Sequence, residues 1–189
     1  MSEVASTTLT GPGGDVHIGD EHPFVIIGER INPTGRPRLS EELTRRDMTT
    51  VRADAVAQVE AGAAVLDLNA GIPGFDEPAM LSQVVEAVQE VVDVPLCIDS
   101  STPEALEAAV PLAKGKVLIN SVTAEAHSLE RLLPLVKRFG AAVIGMANDE
   151  ENRLVGNASP CHRTQHCKND ENLNYKMPRT RTHECSPNR

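Results

Sequence analysis

The sequence predicts an α/β fold on a parallel sheet, and within that class part of a (β/α)8 barrel. Three observations carry this. Five apolar, β-tolerant runs recur every 20–40 residues with a helical stretch between successive runs. The runs are continuously apolar rather than alternating, which marks strands buried on both faces. Finally, four consecutive runs end in Asp, Asn or Glu, which suits the rim of one barrel mouth, where strand C-termini converge. A doubly wound nucleotide binder would more often carry a glycine-rich phosphate loop after its first strand. Neither Gly-x-Gly-x-x-Gly nor Gly-x-x-x-x-Gly-Lys-Ser/Thr is present.

In chain order, residues 1–22 are rich in Ser, Thr, Gly and Asp and offer little to bury, so a flexible arm is expected. Phe24–Ile27 reads as the first strand, followed by a polar loop, Gly28–Gly35, with Glu29 and Asn32. Thr50–Glu60 has helical spacing, and Gly62 fits the left-handed position that ends such a helix. Ala64–Asn69 is a second strand ending in Asp67 and Asn69. Asp76 opens a helix whose Leu81, Val84, Val85 and Val88 form an i, i+3, i+4, i+7 stripe. Val94–Asp99 is the third strand. Thr102-Pro103-Glu104 then reads as a cap, a first-turn proline and a first-turn acid, opening a helix over Ala105–Leu112. Val117–Ser121 is a fourth strand carrying Asn120. Ser128 can cap a helix from Leu129 to Phe139, closed by Gly140 and interrupted by Pro134. Ala141–Met146 is the fifth strand, followed by Asn148-Asp149.

Composition bounds the function. The chain has 189 residues, enough for one sizeable domain, and a formal charge of −9. That charge argues against a nucleic-acid partner, because phosphate binding needs clustered Lys and Arg. No apolar run approaches the roughly 18–20 residues of a membrane span, and the N-terminus lacks a signal-peptide pattern. A cytoplasmic protein is therefore expected. Cys97 sits inside an apolar run and reads as a small core residue.

In the barrel reading, Glu29, Asn32, Asp67, Asn69, Asp99 and Asn120 converge on one mouth. The set holds carboxylates and amides, without Lys, His or Cys. A carboxylate accepts two N–H bonds side by side, and an amide both donates and accepts. The set therefore suits a flat heterocycle with several N–H donors and carbonyl acceptors, rather than Schiff-base or Cys–His chemistry. The plain alternative is that these residues only cap helices and tie loops.

Four ordered motifs sharpen the reading: Gly28-Glu-Arg-Ile-Asn-Pro-Thr-Gly35, Leu66-Asp-Leu-Asn-Ala-Gly71, Ile98-Asp-Ser-Ser101 and Ile119-Asn-Ser121. Together, over about residues 23–150, they resemble the pterin-binding methyltransferase family. That family includes methyltetrahydrofolate:corrinoid/iron–sulfur protein methyltransferases and the folate domain of cobalamin-dependent methionine synthase. The resemblance implies a TIM barrel binding 5-methyltetrahydrofolate as substrate. Its N5 methyl group would pass to cob(I)alamin on a separate corrinoid protein or domain. Asp99 and Asn120 match the family's pterin-contacting positions, Glu29 and Asn32 its first-strand loop, and Asp67 and Asn69 its second-strand end. A homodimer is implied as well. Dihydropteroate synthase, a more distant relative, is matched less well: its first- and second-strand motifs differ from Asn32-Pro-Thr-Gly-Arg36 and Asp67-Leu-Asn-Ala-Gly71.

Residues 151–189 break the pattern. They hold no apolar run, and the formal charge changes from −12 over residues 1–150 (11 basic, 23 acidic) to +3 over the tail (7 basic, 4 acidic). The family's later Asp-Pro strand and N5-facing Asn have no counterpart there, so no catalytic residue is assigned. The tail is expected to be disordered or the product of a shifted reading frame, leaving a partial barrel of about five units, and a non-catalytic pterin-binding fragment is the alternative function. Cys161, His162, His166, Cys167, His183 and Cys185 are zinc-capable, but their spacing matches no common zinc pattern, so no metal site is expected. His127 reads as a loop residue.

Overall fold

The structure is a computed structural model that describes residues 6–147. An N-terminal hairpin, β1 (Thr7–Gly11) and β2 (Gly14–Ile18), precedes a five-stranded parallel sheet. Its strands are β3 (Ile27–Ile31), β4 (Val65–Leu68), β5 (Leu96–Asp99), β6 (Leu118–Thr123) and β7 (Ala142–Met146). They lie in the sequential order β3-β4-β5-β6-β7. A doubly wound sheet reverses direction at a switch point; this one does not, and sequential parallel winding is the order found in barrel walls. The connections carry α1 (Pro37–Thr44), α2 (Thr49–Glu60), α3 (Glu77–Gln89), α4 (Pro103–Ala109) and α5 (Ala126–Phe139).

Strand alternation explains why the strands read as apolar runs. Leu66, Leu68, Leu96, Ile98 and Ile119 pack on one face with α3 residues Leu81, Val84, Val85 and Val88, all four fully buried as the stripe predicts. Val65, Cys97 and Leu118 cluster on the opposite face with Leu9 of the hairpin, flanked by Ile27, Ala142 and Ile144. One step along each strand, that second face turns polar: Asp67 lies two residues past Val65, Asp99 past Cys97, and Asn120 past Leu118. The register pairs Asp99 with Asn120 directly.

Over Thr7–Ile18 the hairpin stands where a flexible arm over residues 1–22 is expected. Its Gly-Pro-Gly-Gly sequence is a turn, and Leu9, Val16 and Ile18 supply the apolar side chains that fix it in place. Thr10 N–H donates to the Lys116 carbonyl (3.1 Å) and Gly13 N–H to the Asp93 carbonyl (2.9 Å), both just ahead of sheet strands. Thr10 Oγ1 accepts from Lys116 N–H at 2.6 Å. The hairpin thus covers the apolar end of the sheet face, opposite the polar strand ends.

Other boundaries shift for identifiable reasons. Pairing with β4 begins at Ile27, so β3 includes Gly28, Glu29 and Arg30, while Phe24 is 93% exposed. The register breaks between Gly28 and Ile31, where Arg30 N–H is taken by Gln58 Oε1 at 2.7 Å. Helix α1 has no counterpart in the sequence reading; Pro37 at its first turn and buried Leu39 and Leu43 are its signals. Thr102 makes no side-chain cap on α4, and α5 begins three residues earlier than expected, at Ala126. Pro134 stays within α5, on the exposed face, where water can satisfy the carbonyl its ring frees. Gly140 closes α5 at φ +62°, a conformation that favours a residue without Cβ. Asn148, Asp149 and all the zinc-capable tail residues lie outside the described residues. No helix among the described residues is long and apolar enough to cross a membrane.

Candidate active site

A cavity of about 340 Å³ opens at the C-terminal ends of β4, β5 and β6. Parallel pairing brings Asp99 at the end of β5 level with Asn120 of β6, and Asn69 just past β4 joins them. Asn69, Asp99 and Asn120 all line the cavity, together with Ser121 of β6 and with Ser100 and Thr34 from neighbouring turns.

The polar strand ends are wired across strands. Asn69 Nδ2 donates to Asp99 Oδ2 at 2.9 Å, while Asn69 Oδ1 accepts from Gly71 N–H at 2.9 Å. The turn bond fixes which way the Asn69 amide faces, so its NH2 is aimed at Asp99. Asn120 Nδ2 donates to Asp67 Oδ1 at 3.1 Å. Asp67 is only 3% exposed, so its carboxylate lies behind Asn120 rather than in the cavity lining. Each carboxylate is therefore matched with an amide from a different strand. Such cross-strand pairs hold their members in one geometry, because leaving a buried carboxylate unpaired costs about 1–3 kcal/mol or more.

Asp99 has its carboxyl raised above the ordinary carboxylate range. Burial is the main cause, opposed by the Asn69 bond and reinforced by the negative charges of Asp67, Glu29 and Glu77. The mouth is therefore acidic, and a ligand presenting N–H donors to Asp99 relieves both the desolvation and the repulsion. The Cys97 thiol, one layer below, is pushed far up by burial and by the Asp67 carboxylate, so it stays protonated.

Of the six residues singled out from the sequence, Asn69, Asp99 and Asn120 meet in the cavity and Asp67 supports them. Glu29 and Asn32 do not line it. Glu29 is exposed on β3, although its charge reaches Asp99. Asn32 Oδ1 accepts from Thr34 N–H at 2.9 Å and so shapes its own turn. Sequence reasoning overlooked Glu77, Glu125, Ser128 and Arg131, which also line the cavity, and placed His127 as a mere loop residue, whereas it lies on the cavity wall. Glu125 accepts from Thr123 Oγ1 at 3.0 Å, with His127 Nε2 3.6 Å away. Position in the first turns of α3 and α5 was the available signal, since helix N-termini follow strand ends at the mouth. Among the described residues no cluster of three or more His, Cys, Asp or Glu is arranged to hold a metal ion.

Comparison with known proteins agrees with the motif resemblance. The family described as pterin binding enzyme matches residues 28–182, a range that runs past the change in composition near residue 150. A methylcorrinoid:tetrahydrofolate methyltransferase of Eubacterium limosum is 41% identical over 112 residues, 59% of this chain. The match takes in 41% of that relative, so the chain spans less than half of its length. A dihydropteroate synthase structure from Thermus thermophilus is similar at 29% identity and TM-score 0.48, covering 72% of this chain and 48% of that one. One from Vibrio fischeri shows 21% identity and TM-score 0.48, covering 74% of this chain and 48% of that one. With the family match spanning most of its length, this chain belongs to the pterin binding enzyme family.

Proposed function

We propose that the chain binds the pterin ring of a reduced folate in the cavity at the ends of β4, β5 and β6, as part of a methyltransferase that moves a methyl group between folate N5 and a corrinoid held by a partner protein or domain. The observation that carries this is the paired constellation Asn69–Asp99 and Asn120–Asp67 at strand ends. Asp99 accepts from the ring's N–H donors; Oδ1 receives no hydrogen bond from the described residues, so it is free to do so. Asn120, held by Asp67, presents its amide oxygen to a further donor. Asn69 keeps the Asp99 carboxylate in plane with the incoming ring. Glu29 and Asn32 border the same mouth from the first-strand side, outside the cavity wall.

The donor set fits this ligand. A fused pyrimidine with adjacent N–H groups matches a carboxylate that accepts side by side, and the cavity volume is of the order needed for one bicyclic ring. The relative's name puts the methyl group on the corrinoid and transfers it to tetrahydrofolate, whereas the motif resemblance implies transfer from 5-methyltetrahydrofolate to cob(I)alamin. These are the two directions of one reaction and share a transition state. The protein's part in either direction is to fix the ring and exclude water from it.

The test is a calorimetric titration of the full chain with tetrahydrofolate and with 5-methyltetrahydrofolate, followed by a spectrophotometric assay against methylcobalamin. Saturable binding with a change in the cobalamin spectrum on mixing is the expected result. Absence of binding to either folate sinks the reading. A second reading, pterin binding without turnover, is favoured by the lack of an apolar run ending in Asp-Pro in the sequence of residues 151–189. Binding of folate with no spectral change would select it, and translating the other two DNA frames beyond codon 150 would show whether a strand ending in Asp-Pro continues there.

A further inference from the structure

Glu77 is the first residue of α3, yet its carboxylate is not engaged with its own helix. The α3 cap is made by Asp76, whose Oδ1 accepts from Ala79 N–H at 3.0 Å. Glu77 instead reaches across to the next β/α unit. Ser100 Oγ donates to Oε1 at 2.5 Å and Thr102 Oγ1 donates to Oε2 at 2.9 Å. Ser100 Oγ also accepts from Thr102 N–H at 3.0 Å, and Ser100 is 3% exposed. This clasp closes on the turn that directly follows Asp99, and Glu77 lines the same cavity. Thr102, at the N-cap position of α4, makes no side-chain cap; its hydroxyl is turned toward Glu77 instead.

We propose that Glu77 is a positioning residue of the pterin site, clamping the Asp99–Thr102 turn so that the Asp99 carboxylate faces the cavity. The inference rests on the pterin reading for its consequence in binding, but not for its geometry. The groups facing Asp99 are Asn69 and Asp67 from the β4 side, Glu29 from β3 and Glu77 from α3. Glu77 is one of three like charges there, which supports a second effect: it holds the Asp99 proton more tightly.

The experiment uses the full chain and carbon-detected NMR of side-chain carboxyls without ligand, the Asp99 signal being assigned by its loss in Asp99→Asn. Glu77→Gln keeps the side chain's shape while removing a charge and an acceptor. It should move the Asp99 titration midpoint downward and weaken tetrahydrofolate binding on the order of 10-fold, the loss of about one good hydrogen bond's worth of order. Thr102→Val loosens the clasp from the other side without touching α3 and should shift the midpoint less, in the same direction. A midpoint that moves in Glu77→Gln but not in Thr102→Val reports the lost charge alone and overturns the clamp, as does a midpoint unmoved in both, even if the melting temperature falls. If the wild-type chain binds no folate while Thr102→Val still shifts the midpoint, the pterin reading fails and the clamp stands.

Discussion

Replacing Asp99 by Asn should separate binding from stability, because the same burial that makes Asp99 useful makes its charge unfavourable. In the folded chain its carboxyl is raised by burial and by Asp67, Glu29 and Glu77. A group with a raised folded pKa contributes stability below the unfolded carboxylate range and loses that contribution as pH rises through the folded value. Above the Asp99 titration the ionised carboxyl is therefore less favourable to the fold than the neutral group, and Asn should be neutral or stabilising there. The Asn69 Nδ2 bond at 2.9 Å is preserved, since the new amide oxygen can accept it. Binding responds in the opposite sense. The carboxylate's second oxygen becomes an NH2 group that points a donor at the ring's N–H, so one charge-assisted bond is lost and two donors are set against each other. At about 1.5–3 kcal/mol for a hydrogen bond to a charged group, the loss is on the order of 100-fold in affinity for tetrahydrofolate. Titration calorimetry at neutral pH gives the affinity, and thermal unfolding followed from about pH 4 to about pH 8 gives the stability. The wild-type chain should lose stability relative to the variant as pH rises through the Asp99 titration. A variant that binds as tightly as wild type, or one clearly less stable at neutral pH, would contradict this role of Asp99.

Three further outcomes follow from particular contacts. Leu9→Ala should cost about 2–5 kcal/mol in a denaturant titration, because Leu9 is fully buried against Val65, Cys97 and Leu118 and its loss opens a cavity beneath the sheet; a cost under about 0.5 kcal/mol would mean the hairpin does not close that face. Asn120→Leu leaves the Asp67 carboxylate buried and unpaired, so it should destabilise by about 1–3 kcal/mol, and adding Asp67→Asn should recover part of that in a double-mutant cycle. Cys97, fully buried with its thiol pushed up, should resist alkylation at neutral pH until the chain unfolds, as read by peptide mass spectrometry; modification of Cys97 at the rate of a free thiol in the native chain would contradict its place in the sheet.

The five strands of the parallel sheet, the α3 stripe and polar residues at the strands' C-terminal side are legible in the sequence alone. These depend on local periodicity, and buried strands between amphipathic helices leave a strong mark. The sequence also grouped Glu29, Asn32, Asp67, Asn69, Asp99 and Asn120 at one mouth; Asn69, Asp99 and Asn120 line the cavity, Asp67 backs Asn120, and Glu29 and Asn32 stay outside. The tertiary structure alone decided the rest. Whether Asp67 or Asn120 faces the cavity depends on cross-strand pairing. So does the contrast between Glu29, which stays exposed on β3, and Glu77, whose carboxylate clasps a turn 23–25 residues away. The hairpin was invisible because its composition is that of a loop; Leu9 is buried only because the sheet offers it an apolar face. Periodicity records which side of its own element a residue occupies. Partners across elements are set by how those elements pack, and at the mouth of this sheet those partners fix the site.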